Sequence, residues 1–361
     1  MSARGDKVRV LDNLSPQVHG QDPESSPYFR SIRDRVEFMR GSVTSEADVV
    51  AALQDIDTVV HFAAETGTGQ SMYAIHHYSE VNVGGTVLLL DLIANRPFPV
   101  KKIVVASSRA VYGEGKYRCR EHGIVYPSSR RPDDMARGDF GVHCPVCASQ
   151  VSLAPSDEAT PVRPSSVYGI TKLAQEQMVL TVAKSLGICA VALRYQNVYG
   201  PGQSLSNPYT GILSIFATRI RNGKGISIFE DGKESRDFVY VDDAVAATLR
   251  AIDFEDAIVE AFNVGSGQAT DVATIAETLR RLLGVSVPMN VTGQFRVGDI
   301  RHNVADLSRI RAILGFEPRV SLEDGMRRFV DWVNAEVVQV DSYDESLREL
   351  QHKGLLRSAE S

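Results

Sequence analysis

The chain has 361 residues, 43% hydrophobic and 23% charged, which is the composition of a globular protein longer than one hydrophobic core usually organises. A formal charge of -6 excludes a broad basic field for nucleic acid or acidic membranes, so an anionic ligand needs a local arginine cluster. The amino terminus carries no apolar signal core, and no later run is long and charge-free enough to span a bilayer. A cytoplasmic location is the expectation, and four cysteines are then left for metal or for the core rather than for a disulfide scaffold.

In chain order, Lys7 to Asp12 is a short β-rich run ending in an acid, and Val36 to Met39 is the next strand candidate. Ser45 caps a helix to Leu53. Thr58 to Ala64 is a nearly continuous apolar run, as expected of a strand buried on both faces. Met72 to Ala94 has helical spacing around Asn82-Val-Gly-Gly-Thr86, whose glycines suggest close packing against cofactor or sheet. Lys101 to Ser107 is another buried strand and runs into Ser108-Arg-Ala-Val-Tyr-Gly113. Ligand crevices of open α/β sheets lie beyond the carboxyl ends of their strands, which puts Ser108 where chemistry is expected.

Periodicity fails from Glu114 to about Ser156, a segment holding three of the cysteines. It resumes with a helix opened by Pro164 and two serines and stopped by Gly187, followed by a strand from Cys189 to Tyr195. Beyond Asn197 the texture turns to shorter strands, loops and helices, and the tail after Glu336 reads as polar and peripheral. The expected organisation is a dinucleotide-binding domain over 1–196 with an insertion at 114–156, a mainly substrate-binding lobe over 197–335, and a tail over 336–361.

Tyr168 and Lys172 lie four apart on the predicted helix and so share a face, where an ammonium can favour the ionised phenol of a tyrosine base. The spacing alone also arises by chance on amphipathic surface helices. Cys119-x-x-His122 and Cys144-x-x-Cys147 have the spacings of a structural zinc site, and an aperiodic insertion that cannot order itself by burial favours a metal staple. His143 is a competing fourth ligand, although its adjacency to Cys144 makes joint coordination awkward. Free thiols in a solvated loop and a redox Cys-x-x-Cys are the alternatives, and the latter lacks its usual strand-to-helix setting.

Ser108-Arg-Ala-Val-Tyr-Gly, Tyr168-x-x-x-Lys172, Leu193-Arg-Tyr-Gln-Asn-Val-Tyr-Gly-Pro201 and Arg236-Asp-Phe-Val-Tyr-Val-Asp-Asp243 occur in that order. Together they resemble the extended short-chain dehydrogenase/reductases of the NAD-dependent epimerase/dehydratase family, over about residues 5 to 335. Tyr117-Arg-Cys-Arg-Glu-His-Gly123, His143-Cys-Pro-Val-Cys147 and Gln203 to Thr210 look most like the dTDP-L-rhamnose 4-epimerases within it. The resemblance implies a doubly wound, mostly parallel Rossmann-type α/β sheet with a smaller α+β substrate lobe. It implies NAD as cofactor, with Asp12 on the adenosine ribose and Asn82, Tyr168 and Lys172 nearby, and a nucleotide-diphosphate sugar as substrate. Tyr168 would be the base on the sugar 4-hydroxyl, Ser108 would hold the same oxygen, and Lys172 would bind the nicotinamide ribose and lower the tyrosine pKa. Arg236 and Arg296 would clamp the diphosphate, with Asn197 and Asp299 as further contacts; a surface ion pair is the plain alternative for each arginine. Related dehydratases carry Asp-Glu where this chain has Arg109-Ala110, which disfavours elimination of water. The resemblance also implies a homodimer through the helices bearing Tyr168 and Asn82.

One departure stands out. A dinucleotide fold needs a glycine-rich turn between its first strand and helix, with the ribose acid roughly 20 residues later. Asp12 has eleven residues before it and none of that pattern. The expectation is a sheet lacking its first strand and cradle, a longer natural amino end, and poor NAD binding by this polypeptide. A non-catalytic sugar-nucleotide-binding protein and a reductase with net hydride transfer remain as other readings.

Overall fold

A computed structural model describes residues 1–209 and 211–359. Strands β1 (Arg9–Asp12) and β2 (Glu37–Arg40) pair in parallel as a sheet of their own. Strands β3 (Thr58–His61) and β4 (Lys102–Ser108) belong to a second parallel sheet. The 114–156 insertion contributes β5 (Tyr117–Cys119), β6 (Gly123–Val125) and β7 (Ser152–Leu153), an antiparallel sheet in the order β6-β5-β7. The remaining strands are β8 (Cys189–Tyr195), β9 (Asn197–Tyr199), β10 (Ile226–Ile228), β11 (Ser235–Tyr240), β12 (Val259–Val264), β13 (Ala269–Asp271), β14 (Met289–Val291), β15 (Gln294–Arg296) and β16 (Leu356–Ser358). The order β12-β8-β4-β3 makes the four-stranded parallel core.

That core explains its own sequence. Ile103, Val104 and Val105 of β4 and Ala190 to Leu193 of β8 are fully buried, because both faces of the sheet are covered. Ile103, Val105, Ala190 and Ala192 face Val179 and Ala183 of the helix Val167–Leu186 and Leu89, Leu92 and Ile93 of the helix Gly85–Asn95. Val104, Val191 and Leu193 pack instead on Ala247 and Ala251 of the helix Val241–Asp253 and Ile310 and Leu314 of the helix Ser308–Leu314. Alternate residues thus feed opposite layers, the period-two signature of a strand.

The parallel sheet is divided. β1 pairs only with β2 and β3 only with β4, and the facing edges of β1 and β3 both line a cleft of about 530 Å³. β3, expected to be buried on both faces, is only half-buried over Thr58 to Val60. Its open edge is the reason.

Three other expectations change. The helix expected from Met72 to Ala94 is broken into Thr68–Ser71, Ile75–Tyr78, a wide turn over Ser79–Gly84 and the helix Gly85–Asn95. A Cβ on Gly85 would lie 2.7 Å from Val43, so the glycine admits the loop after β2 rather than a cofactor. The 197–335 segment does not stay in one lobe, because the helix Val241–Asp253 and β12 return to the core sheet, β12 pairing with β8 along its length. The tail is not peripheral either. Tyr343, Ser346 and Leu350 form the buried stripe of the helix Tyr343–His352, and β16 pairs antiparallel with β15. A second core lies beyond the parallel sheet, in which Phe216 and Ile220 meet Ile275, Leu279, Phe329 and Val333.

Candidate active site

The end of β4 and the start of the helix Val167–Leu186 meet through a glycine. Ser166 caps the helix by accepting from the Gly169 amide at 3.1 Å, and a Cβ on Gly169 would lie 2.7 Å from the Ala110 carbonyl oxygen. Only glycine permits that approach without a shift. It places Tyr168 against Ser108, and Ser108, Arg109, Tyr168 and Lys172 line one cavity of about 480 Å³. The Tyr168 amide donates to buried Ser71 at 3.0 Å, and Lys172 Nζ donates to the Ala106 carbonyl at 2.9 Å. The buried pair of Arg194 and Glu176, 2.6 Å apart, ties the same helix to β8 behind them.

The electrostatics differ from the expected pairing of Lys172 with Tyr168. Burial pushes the Tyr168 phenol above its ordinary value, while the Ser108 hydroxyl and the Arg109 charge pull it down. Burial brings Lys172 down to about 7. Arg109 is the cation whose charge bears on the phenol. Its Nε donates to Asn197 Oδ1 at 2.7 Å, a role that the comparison with the dehydratases' Asp-Glu pair does not bring out. Its position one residue past Ser108 at a strand end was the available signal.

Asn197, Arg236, Arg296 and Asp299 line the same cavity, so every residue expected at the substrate is brought together. Arg236 is no surface ion pair. It is buried, donates to the Ser235, Arg301 and Ile300 carbonyls, and meets Asp299 Oδ1 at 3.0 Å. Burial pushes the Asp299 carboxyl up, but Arg236, Arg296, Arg109 and Arg130 outweigh it and hold the group below the usual range. Arg296 stacks on Phe229 at 4.9 Å, and its buried Nε has no hydrogen-bond partner among the described residues. A planar fork with an unused buried N–H suits an oxyanion. Gln203 and Tyr209 of the Gln203 to Thr210 stretch also line the cavity, as do Glu230, Glu234 and Tyr343, which no sequence motif marks as site residues.

Asp12 ends β1 on the neighbouring cleft, which shares Phe62 and Thr66 with the cavity of Tyr168. Its Oδ1 accepts from the Leu14 amide at 2.7 Å, and its carboxylate stays half exposed. Asn82 does not line that cleft. It is fully buried, accepts from the Glu65 amide at 2.7 Å and donates to the Glu65 carbonyl and Thr171 Oγ1, so it orders the chain after β3. The residues present suit the two ribose ends of a dinucleotide: Asp12 at one, Tyr168 and Lys172 at the other. No glycine-rich strand-to-helix turn faces the cleft among the described residues.

In the insertion, Cys119, His122, Cys144 and Cys147 bring their ligand atoms within 4.8 Å of one another. Cys119 Sγ lies 3.7 Å from Cys147 Sγ and 3.6 Å from His122 Nδ1, which is 3.7 Å from Cys144 Sγ. A tetrahedron with ordinary zinc bond lengths has edges of about 3.8 Å between sulfurs and about 3.6 Å between sulfur and nitrogen. His143 lies outside the cluster, beside Asp139 at 3.5 Å. Each ligand pair is followed at once by a left-handed residue, Gly123 at φ 68° and Ala148 at φ 58°. For alanine that conformation is strained and must be held by its surroundings.

The sequence matches the model of the "NAD dependent epimerase/dehydratase family" over residues 2–130 and 145–265. It is 38% identical over 341 residues to a dTDP-L-rhamnose 4-epimerase of Burkholderia thailandensis, covering 93% of this chain and 91% of that one. Among solved structures, the fold is similar to a UDP-glucose 4-epimerase of Thermotoga maritima with UDP-glucose, at TM-score 0.72 and 28% identity, with 92% of each chain covered. It is also similar to a UDP-glucuronic acid 4-epimerase of Bacillus cereus in complex with UDP-glucuronic acid and NAD, at TM-score 0.74 and 25% identity, again over 92% of each. No helix among the described residues is long and apolar enough to cross a membrane.

Proposed function

The chain belongs to the NAD dependent epimerase/dehydratase family of enzymes, and from that premise we propose that it inverts C4 of a nucleotide-activated 6-deoxyhexose of the dTDP-L-rhamnose type. The observation that carries this reading is the convergence of Ser108, Tyr168 and Lys172 with Arg236 and Arg296 in one cavity. Bound NAD would take a hydride from the sugar and return it to the opposite face.

The chain's own residues do the rest. Tyr168 removes the proton of the 4-hydroxyl and gives it back, and Ser108 holds the same oxygen while it is a ketone. Arg109 supplies the positive charge that eases ionisation of the phenol. Lys172 holds the nicotinamide ribose and Asp12 the adenosine ribose. Arg296, with Arg236, grips the diphosphate, while Asp299 fixes Arg236 and Asn197 fixes Arg109. Remote binding of this kind lets the sugar turn without leaving the site. With Arg109-Ala110 after Ser108, no acid pair stands there for dehydration.

The same proposal gives the Cys119, His122, Cys144 and Cys147 cluster a structural zinc ion. It also makes the protein a homodimer through the adjacent helices Gly85–Asn95 and Val167–Leu186, where Val87 and Ile170 are exposed apolar residues for a partner to cover. Light scattering tests the latter. The function is tested by supplying dTDP-L-rhamnose with NAD and following both the 4-epimer and the cofactor. Interconversion without net cofactor change is expected. Stoichiometric NAD(P)H consumption would make the protein a reductase, and binding without turnover would sink the epimerase reading.

A further inference from the structure

The Cys/His cluster lies on the same small sheet that reaches the substrate cavity from behind. Cys119 and Tyr117 are two apart on β5 and both buried, so they share a face. Tyr117 Oη donates to Glu114 Oε2 at 3.3 Å. Glu114 accepts from Arg130 Nε at 3.1 Å and from the Arg301 amide at 3.0 Å. Arg130 grips Glu230 with both terminal nitrogens at 2.8 Å and donates to the Asp299 carbonyl at 3.1 Å. Arg301 reaches Glu230 from the other side at 2.7 Å. Glu230 and Asp299 line the cavity, and Asp299 holds Arg236.

Glu114, Arg130, Glu230 and Arg301 are thus a buried, fully cross-linked ionic group, two of whose members belong to the insertion. Such a group holds only if its members are fixed, because a buried charge that loses its partner is strongly destabilising. The insertion's own apolar core is small: Tyr117, Cys119, Val125, Val142 and Cys144, with Cys147, Val151 and Leu153 against it. Sulfur ligands make up much of that core, and burial of so few side chains does not order a segment of this length.

We propose that a zinc ion held by Cys119, His122, Cys144 and Cys147 is a positioning device for the nucleotide-diphosphate pocket. It fixes β5, β5 fixes Glu114 and Arg130, and those two fix Glu230 and Asp299 and through them Arg236. The inference rests on the proposed function for the identity of the ligand, and adds that its affinity depends on a metal remote from the chemistry.

The test uses the whole chain. Elemental analysis should find one zinc per chain, and X-ray absorption should find three sulfurs and one nitrogen around it. Titration of the zinc-loaded protein with dTDP and with UDP comes next. Binding of neither overturns this inference together with the function it rests on. If one binds, removal of zinc with a chelator, or the Cys147→Ser change at the most exposed sulfur ligand, should weaken that binding roughly tenfold or more, with recovery on adding zinc back. Arg130→Lys, which keeps the charge but not the two-pronged grip, should weaken binding similarly while zinc stays bound. In turnover the defect should appear in KM and much less in kcat. Fluorescence of Trp332, the single tryptophan, reports the lobe core and should not change. Absence of zinc, equal dTDP or UDP affinity with and without it, or loss of the Trp332 signal together with binding would each overturn the positioning role while leaving the function standing.

Discussion

The two neighbouring cavities are built in opposite ways. Around the cavity of Tyr168 and Arg296, loops from distant parts of the chain are cross-braced by ion pairs, buried where Arg130 meets Glu114 and Glu230 and where Arg301 meets Glu230, and half-buried where Arg236 meets Asp299. The cleft holding Asp12 is lined by backbone edges and apolar side chains, Leu11, Val59, Val49 and Leu89 among them, with the open edges of β1 and β3 facing each other across it. One wall is braced by charges that lie largely out of solvent. The other rests in part on a two-stranded sheet, a unit only marginally stable on its own. The proposed chemistry sits where they meet, on the end of β4 and one long helix.

Several measurements would break or sharpen that contrast. Tyr168→Phe should have the largest effect, on the order of a thousandfold loss of kcat with nucleotide affinity unchanged, because it removes the proton acceptor and no binding group. Steady-state rates beside a dTDP titration check it, and a parallel loss of affinity would mean that the two functions are not spatially separated. Amide exchange should be roughly a hundredfold faster at Val10 and Leu11 than at Val104 and Val191. Equal protection would show that the sheet is not divided in solution.

Arg296→Ala should weaken nucleotide-diphosphate binding by about 1.5–3 kcal/mol, the worth of a charged hydrogen bond, and barely touch kcat. Calorimetric titration decides. Glu234 gives the smallest effect and the one with a pH signature. Burial, with Glu230 and Asp299 adding, raises its carboxyl to about 7. Because the folded value is above the unfolded one, its stabilising contribution is complete below about 4.5 and is lost as pH rises through about 7. Denaturant unfolding should show Glu234→Gln roughly 1–3 kcal/mol more stable relative to wild type at pH 8 than at pH 4. No pH dependence in that difference would place Glu234 in water.

The parts legible in the sequence are those governed by local rules. The Val167–Leu186 helix starts at Ser166 and stops at Gly187, at φ 69°, as the cap residues dictate. β4 and β8 carry the apolar runs of strands covered on both faces. The tail was misread because its helix buries a stripe of tyrosine, serine and leucine within polar composition, a spacing visible at 343, 346 and 350 but weak in hydrophobicity. Asn82 was misplaced because nothing in its neighbours shows that its amide is spent on Glu65 and Thr171. The 197–335 boundary failed because β12 finds its partner β8 more than sixty residues back in the chain.

By itself, then, the sequence determined the α/β class, the ordered motifs, the spacing of Tyr168 and Lys172 and the two Cys/His pairs, since each depends on residues a few positions apart. The tertiary structure decided which charge acts on which group. That the Arg109 charge bears on the phenol, that Arg236 is tied to Asp299, and that His122 rather than His143 joins the cysteines are all long-range facts. Electrostatic strength depends on distance and burial, and neither is set until the chain has closed on itself.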